Sequence, residues 1–214
     1  MQSPPLNSGF LDEKLTYTPE GELLDSFGGE IMMKWEDNIM KHQAAEICIN
    51  GGDILNVGFG LGLMDKHIQS HNPNTHWIIE SHPDVQRKII EDGWLKKPNV
   101  KVIFKPWQEV LNYLPKFDGI YFDTWLESQD DFDYNIKNML KPNGVYSFFN
   151  NPDSNSQTIQ SRSHSILKEF CDISSSSLDI SKIIPSNHKL NRAYWKSENK
   201  IYWIPKCKLK ENFR

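Results

Sequence analysis

Residues Asp53 to Gly62 read DILNVGFGLG, and how this stretch is read decides the fold. Asp53–Phe59 (DILNVGF) is short and mostly apolar, the mark of a buried strand. The second half of the stretch sets glycine at 58, 60 and 62. Glycines at every second position let the backbone turn tightly and approach a ligand where a Cβ would clash. Leu63 to His71 (LMDKHIQSH) follows with a helical pattern. The unit is strand, glycine turn, helix.

The same unit recurs downstream. His76–Glu80 (HWIIE) is a second strand, followed by the helix PDVQRKIIEDGW with Pro83 near its first turn. Val100–Phe104 (VKVIF) predicts a third strand and WQEVLNYL a third helix. Phe117–Thr124 (FDGIYFDT) is a fourth strand and DFDYNIKNML a fourth helix. The turn Lys141–Gly144 then feeds Val145–Asn150 (VYSFFN), a fifth strand. Five strands alternating with helices argue for a doubly wound parallel sheet, whose ligands sit beyond the carboxyl ends of the strands.

Outside that region the pattern is looser. Residues 1–30, with Pro4, Pro5, Pro19 and several glycines, read as an extended arm with little helix. From Glu30 to about Ile49 the pattern turns helical, with Met33, Ile39, Met40, Ala44 and Ile47 as a buried stripe. The tail carries a helix (RSHSILKEF) and β-like runs at Leu178–Ile184 and Lys200–Pro205, and Ser174–Ser177 reads as a loop.

The 214 residues, 38% hydrophobic and 24% charged, suit one domain of ordinary soluble composition. A net charge of −4 lacks the basic footprint expected of a general nucleic-acid binder, and could attract a cationic substrate. Cys48, Cys171 and Cys207 are sparse and form no CxxC pair, which fits reduced thiols and a cytoplasmic or nuclear protein. No basic-then-apolar leader begins the sequence, and no apolar run approaches the ~20 residues of a membrane helix.

Chemistry concentrates at the predicted strand ends. A dinucleotide site wants G-x-G-x-x-G for its pyrophosphate, and here the third glycine comes one residue early. The shorter loop suits a cofactor without phosphate, such as S-adenosylmethionine. Glu80 stands 18 residues past Gly62, near the spacing at which an acid grips a ribose diol. Trp107 and Gln108, after the third strand, could stack on and hydrogen-bond an adenine; a core-packed Trp107 is the plainer reading. Asp123 ends the fourth strand at the mouth of the site, where it could hold a cation, accept a proton or cap the next segment. Glu36 follows the arm and by itself reads as an exposed helix glutamate. His67 and His71 are four apart but lack a third ligand nearby, so they read as a solvated face and no metal site is expected.

In order, MKWEDNIM, ILNVGFGLG, HWIIESHPDV, WQEVL, FDGIYFDT and LKPNGVYSFFN resemble the guanidinoacetate methyltransferase superfamily. Within it the chain is most similar to the δ-N-arginine (type IV protein arginine) methyltransferases, through the arm Phe10 to Tyr17, the HPDV after Glu80, and Gly93 to Val100. The resemblance runs from about Phe10 to Asn150. It implies a class I methyltransferase: a doubly wound, mostly parallel, seven-stranded Rossmann-like sheet, with an N-terminal arm or lid (1–30) and a methyltransferase domain (31–214).

The resemblance also implies roles. Val57, Gly58, Phe59, Gly60, Leu61 and Gly62 would carry the methionine part of S-adenosylmethionine. Glu80 would bind the ribose, with Ser81 and His82 beside it. Trp107 and Gln108 would border the adenine. Tyr17, Met32 and Met40 would help close the site. Glu36 and Asp123 would grip a guanidinium, Asp123 also facing the cofactor's reactive end. The expected partner is an arginine-containing protein substrate or a small guanidino compound, with no nucleic acid and no membrane. The displacement requires no metal. Small-molecule relatives show Asn-Leu-Thr-Ser after the fifth strand, whereas this chain has Asn150-Asn151-Pro152-Asp153, and Pro152 offers no N–H to a substrate carboxylate. That favours a protein arginine over guanidinoacetate. A catalytically silent binding module and, more remotely, a nicotinamide oxidoreductase are the competing readings.

Overall fold

The computed structural model describes residues 8–125, 127, 129–150, 165–184 and 201–213. Its centre is the strand expected at Asp53–Phe59, which ends two residues earlier, as β4 (Asp53–Val57), because Gly58 already turns at φ +92°. Around it lie β5 (Thr75–Ile79), β6 (Val100–Ile103), β7 (Phe117–Phe122), β8 (Leu140–Phe148), β9 (Cys171–Asp179) and β10 (Ile201–Leu209) in one seven-stranded sheet of order β6-β5-β4-β7-β8-β10-β9. The first five strands in that order pair in parallel, while β10 runs antiparallel to both β8 and β9. Strand order reverses beside β4, which places a crevice at the carboxyl ends of β4 and β7.

Alternation along each strand explains why both faces are covered. Leu55, Val57, Ile120, Phe122, Tyr146 and Phe148 join one apolar cluster, whereas Ile54, Ile78, Tyr121 and Val145 join the other. Side chains two apart share a face of a strand, so near-continuous apolar runs supply two cores at once. Helices α2 (Asp37–Ile47), α3 (Leu63–Ser70) and α4 (Pro83–Glu91) contribute to the second core through Met40, Ile47, Ile68 and Ile89. Close approach of α2 to the sheet requires Gly119, where a Cβ would stand 2.2 Å from the carbonyl oxygen of Ile47.

Several expectations are corrected. The arm is not merely extended: α1 (Ser8–Asp12) leads into a three-stranded antiparallel sheet of β1 (Thr16–Tyr17), β2 (Glu22–Leu24) and β3 (Glu30–Met33). Helix α2 therefore begins at Asp37 rather than near Glu30, after a 3₁₀ turn at Lys34–Glu36, because residues 30–33 are held by pairing to β2. WQEVLNYL forms two 3₁₀ turns, Trp107–Glu109 and Leu111–Tyr113, since Trp107 is drawn into the core against Phe122 and Phe132. DFDYNIKNML falls within two short helices, α5 (Gln129–Asp133) and α6 (Ile136–Met139), and then Leu140, the first residue of β8.

The KPNG turn lies inside β8, where Asn143 takes a positive φ and the register against β7 shifts. Ser174–Ser177 is strand, not loop, because β10 pairs along all of β9. The β-like run at Leu178–Ile184 is strand only as far as Asp179. Residues 165–170 are helical as expected, and the start of that expected helix lies outside the described residues, as does Pro152. Among the described residues no helix is long and apolar enough to cross a membrane.

Candidate functional site

The glycine loop leaves β4 and is pinned from three sides. The Gly58 N–H donates to the Ile79 carbonyl (2.9 Å) and the Asp123 N–H donates to the Val57 carbonyl (2.9 Å), so the ends of β4, β5 and β7 are tied together. Gly58 takes φ +92°, and a Cβ there would lie 1.9 Å from the Asp123 carbonyl oxygen. Gly60 takes φ +55°, and its missing Cβ leaves room for Met32, whose sulfur would stand 2.8 Å away. The first demand comes from the neighbouring strand and the second from the lid.

Glu80, directly after β5, is buried and holds two backbone donors. Its Oε2 accepts from the Phe59 N–H (2.9 Å) and its Oε1 from the His82 N–H (2.7 Å). Burial nevertheless pushes its pKa up to about 7, against the opposing pull of those N–H groups. Ser81 is half-buried, and its carbonyl accepts from the Gln86 amide (3.0 Å). His82 caps α4, its Nδ1 accepting from the Asp84 N–H (3.1 Å), while its Nε2 faces the Phe10 carbonyl (3.1 Å). Burial lowers the imidazole pKa, in keeping with a neutral ring that accepts on one side and donates on the other. Asp84 in turn accepts from the Leu15 N–H (2.8 Å). The HPDV motif and the arm motif, both singled out in the sequence, are thus each other's partners.

The arm also covers the glycine loop. The Tyr17 hydroxyl donates to the Gly60 carbonyl (3.3 Å), and the Leu61 N–H points to the Met32 sulfur (3.2 Å). Burial, then the charge of Glu80, raises the Tyr17 phenol far above its ordinary value. Met40 stands apart from these two. It lies on α2, fully enclosed, with its sulfur 3.5 Å from the Tyr121 hydroxyl, so it belongs to the packed core rather than to the lid strands.

Trp107 is buried edge-on against Phe122 and Phe132, which is the plainer of its two readings. Its indole N–H donates to Glu127 Oε2 (2.6 Å), a residue the sequence did not single out. Burial raises the Glu127 pKa, with Trp107, Thr124 and Gln108 pulling the other way. Glu127, Gln108 and Thr124 thus form one buried polar group beside the Trp107 indole. Glu127 is close enough to Glu80 to raise its pKa.

Two carboxylates define the other end. Asp123 follows β7, partly exposed at the mouth yet crowded enough that desolvation raises its pKa to about 7. Glu36 is fully buried, which overturns the exposed-helix reading: the 3₁₀ turn folds it back so that Oε1 accepts from the Met33 N–H (2.6 Å). Burial, and after it the charge of Asp123 and Glu36, pushes the pKa of the buried Tyr202 phenol on β10 well above the usual value, with hydrogen bonds to the Asn150 backbone and the Gln43 side chain pulling the other way. Its oxygen accepts from the Asn150 N–H (2.8 Å). Gln43 completes this polar group, donating to the Phe148 carbonyl (2.8 Å) and accepting from the Tyr121 hydroxyl (2.8 Å).

His67 does not lie on a solvated face; its Nε2 is 2.9 Å from Asp37. Among the described residues no group of three or more His, Cys, Asp or Glu side chains is arranged to hold a metal ion.

A family model described as guanidinoacetate N-methyltransferase matches residues 7–190. The chain belongs to that family. Among curated members it is similar to the protein arginine N-methyltransferase 2 of Yarrowia lipolytica, 41% identical over 157 residues that cover 66% of this chain and 33% of that one. To the protein of the same name from Aspergillus oryzae it is 33% identical over 220 residues, covering 94% of this chain and 52% of that one. This family member thus spans about a third to a half of the length of those relatives. Among solved structures, spermidine synthase from Thermotoga maritima superposes with a TM-score of 0.65 at 13% identity, covering 92% and 69% of the two chains. Precorrin-6y C5,15-methyltransferase from Geobacter metallireducens gives 0.58 at 14% identity, covering 80% and 88%. At that identity the likeness is one of fold, and the fold is the class I methyltransferase sheet.

Proposed function

We propose that this chain transfers a methyl group from S-adenosylmethionine to the internal (δ) guanidino nitrogen of an arginine in a protein substrate. The observation that carries the reading is the pair of carboxylates, Glu36 fully buried and Asp123 desolvated though partly exposed, at the end of the parallel sheet where the glycine loop leaves it. Two acids in one desolvated place are costly unless a cation joins them. A guanidinium stays charged at neutral pH and offers a planar fork of donors that matches carboxylates.

The residues present fit the cofactor. Glu80 is a buried acceptor at the strand end next to the glycine loop, suited to ribose hydroxyls. The buried polar group of Glu127, Gln108 and Thr124 suits an exocyclic amine. When bound, S-adenosylmethionine supplies an electrophilic methyl group on a sulfonium. Tyr17 and Met32 hold the arm over the loop and exclude water. Glu36 and Asp123 fix the guanidinium plane by charge-assisted hydrogen bonds and turn one nitrogen toward the methyl. The cation beside Asp123 favours its ionised form, and its intrinsically raised pKa makes it the better base as the nitrogen sheds its proton. One N–C bond forms, one S–C bond breaks, the proton passes to the carboxylate and the guanidine remains a cation.

The family's name points to guanidinoacetate, and the arginine methyltransferase relatives point to arginine. Labelled S-adenosylmethionine incubated with cell extract, free arginine or guanidinoacetate separates them after product hydrolysis. Label in protein as δ-N-methylarginine is expected. Label in creatine instead would refute the protein-substrate reading, and label in none, with cofactor bound, would leave a silent binding module.

A further inference from the structure

Behind the glycine loop lies a polar group that no step of the methyl transfer uses. Asn56 on β4, His76 on β5 and Asp65 in the first turn of α3 are all fully buried. The core on that side of the sheet is otherwise apolar, with Ile54, Met64, Ile68, Ile78 and Trp94 among its members. Both Asp65 oxygens accept from the Asn56 amide (2.9 Å each), and His76 Nε2 stands 3.0 Å from Asp65 Oδ1. Gln69 Nε2 lies 3.0 Å from His76 Nδ1, so with that amide donating, the ring hydrogen is on Nε2 and faces Asp65. The Asn56 amide also donates to the Gly58 carbonyl (2.9 Å). Well-packed apolar side chains would cost less to bury than these three, so their presence points to a geometric role.

That role follows from the Gly58–Phe59 peptide. A trans peptide is planar, so its carbonyl and its N–H point to opposite sides. Asn56 holds the carbonyl, and the N–H on the far side donates to Glu80 Oε2 (2.9 Å). Asn56 precedes the glycines and Asp65 follows them, so their bond closes the loop at its base. Trp94 braces the same unit, meeting the Phe59 ring edge-on at 5.5 Å and the His76 ring at 6.1 Å. We propose that Asn56, anchored by Asp65 and His76, is a positioning residue that sets the Gly58–Phe59 peptide and through it the Glu80 carboxylate for the cofactor's ribose. The inference rests on the ribose reading of Glu80. It gives α3 a part in cofactor binding as well as in packing.

The test is Asn56→Leu in the 214-residue chain, which nearly keeps the volume and removes both amide donors. Calorimetry should show S-adenosylhomocysteine bound about tenfold more weakly. With the acceptor that the unmodified protein labels, the KM for S-adenosylmethionine should rise by a similar factor, while kcat at saturation stays within about threefold. Ile68→Ala, in the same helix and core, is the packing control: Tm should fall with affinity within about twofold. Combined with Glu80→Gln, Asn56→Leu should add little, the double variant binding no more than about twofold more weakly than Glu80→Gln alone. Asp65→Asn keeps the shape and removes the charged acceptor; it should weaken binding about two- to fivefold, and it stands in for Asn56→Leu should that variant not fold. Unchanged affinity in Asn56→Leu and Asp65→Asn overturns the inference, as does a loss that adds in full to that of Glu80→Gln. So does a loss in Ile68→Ala as large as in Asn56→Leu, the mark of a loosened core. If Glu80→Gln itself binds S-adenosylhomocysteine as tightly as the unmodified protein, the ribose reading fails and takes this inference with it. If Glu80→Gln binds weakly while Asn56→Leu and Asp65→Asn do not, this inference alone fails.

Discussion

Gly58→Ala offers the sharpest test of how the loop and the acid pair are linked. Residue 58 takes φ +92°, where a side chain is strained by roughly 1–2 kcal/mol before any contact is counted. For a chain of this size that strain alone lowers Tm by about 2–8 °C. The new methyl would lie 1.9 Å from the Asp123 carbonyl oxygen, so loop and strand end must part by about 1.1 Å even to reach 3.0 Å. The same Asp123 residue donates its N–H to the Val57 carbonyl, so the movement falls on a direct connection between loop and carboxylate. Misplacing a reacting group by about 1 Å costs on the order of a hundredfold in rate. Thermal unfolding, S-adenosylhomocysteine affinity and methyl-transfer rate on one preparation give the three readouts. A Tm within a degree or so and a kcat within about twofold of the unmodified protein would refute the coupling.

Asp123→Asn and Glu36→Gln should each reduce turnover by about a hundredfold or more with cofactor affinity preserved, since both stand at the acceptor end; calorimetry and single-turnover labelling check this. Glu80→Ala removes the acceptor for the Phe59 and His82 N–H groups and should weaken S-adenosylhomocysteine binding by about tenfold or more, so an unchanged dissociation constant would count against its ribose role. Tyr17→Phe removes one hydrogen bond from the lid to the Gly60 carbonyl and should raise the cofactor KM up to about tenfold, with kcat at saturation nearly intact. In the ligand-free protein Glu80 and Asp123 both titrate near 7, above their unfolded values. The folded state therefore holds extra protons between about pH 4 and pH 7, and stability should fall as pH rises through that window. Asp123→Asn should flatten part of that slope in pH-dependent denaturant titrations.

The five parallel strands were legible because each is an apolar run of strand length between turn signals, and burial on both faces is what such runs mean. The glycine loop and Glu80 were legible because spacing alone brings them together in this fold. Glu36 misled because its local segment reads as exposed helix, yet a signal was present. Glu36, Ile39, Met40, Gln43, Ala44 and Ile47 fall on one helical stripe, and two polar members of an otherwise apolar stripe mark a buried polar site. The strand of Tyr202 was legible in part, as the β-like run Lys200–Pro205, but its place in the sheet was not, because its partners β8 and β9 are remote or serine-rich in sequence. Glu127 carried no signal, since its meaning comes only from the Trp107 indole that a core packing decision turned toward it.

The order β8-β10-β9 has a consequence for how the protein is made. β9 is synthesised before β10, but among the described residues its one neighbour in the sheet is β10, which must slip between it and β8. Until then β9 hangs a strand's width, about 5 Å, from the growing sheet. Its outward residues are Asp172, Ser174, Ser175, Ser177 and Asp179, a hydrophilic run that resists pairing with the wrong edge during the wait. A nascent chain thus has the strands that carry its glycine loop and Glu80 assembled before the last strand of the sheet leaves the ribosome.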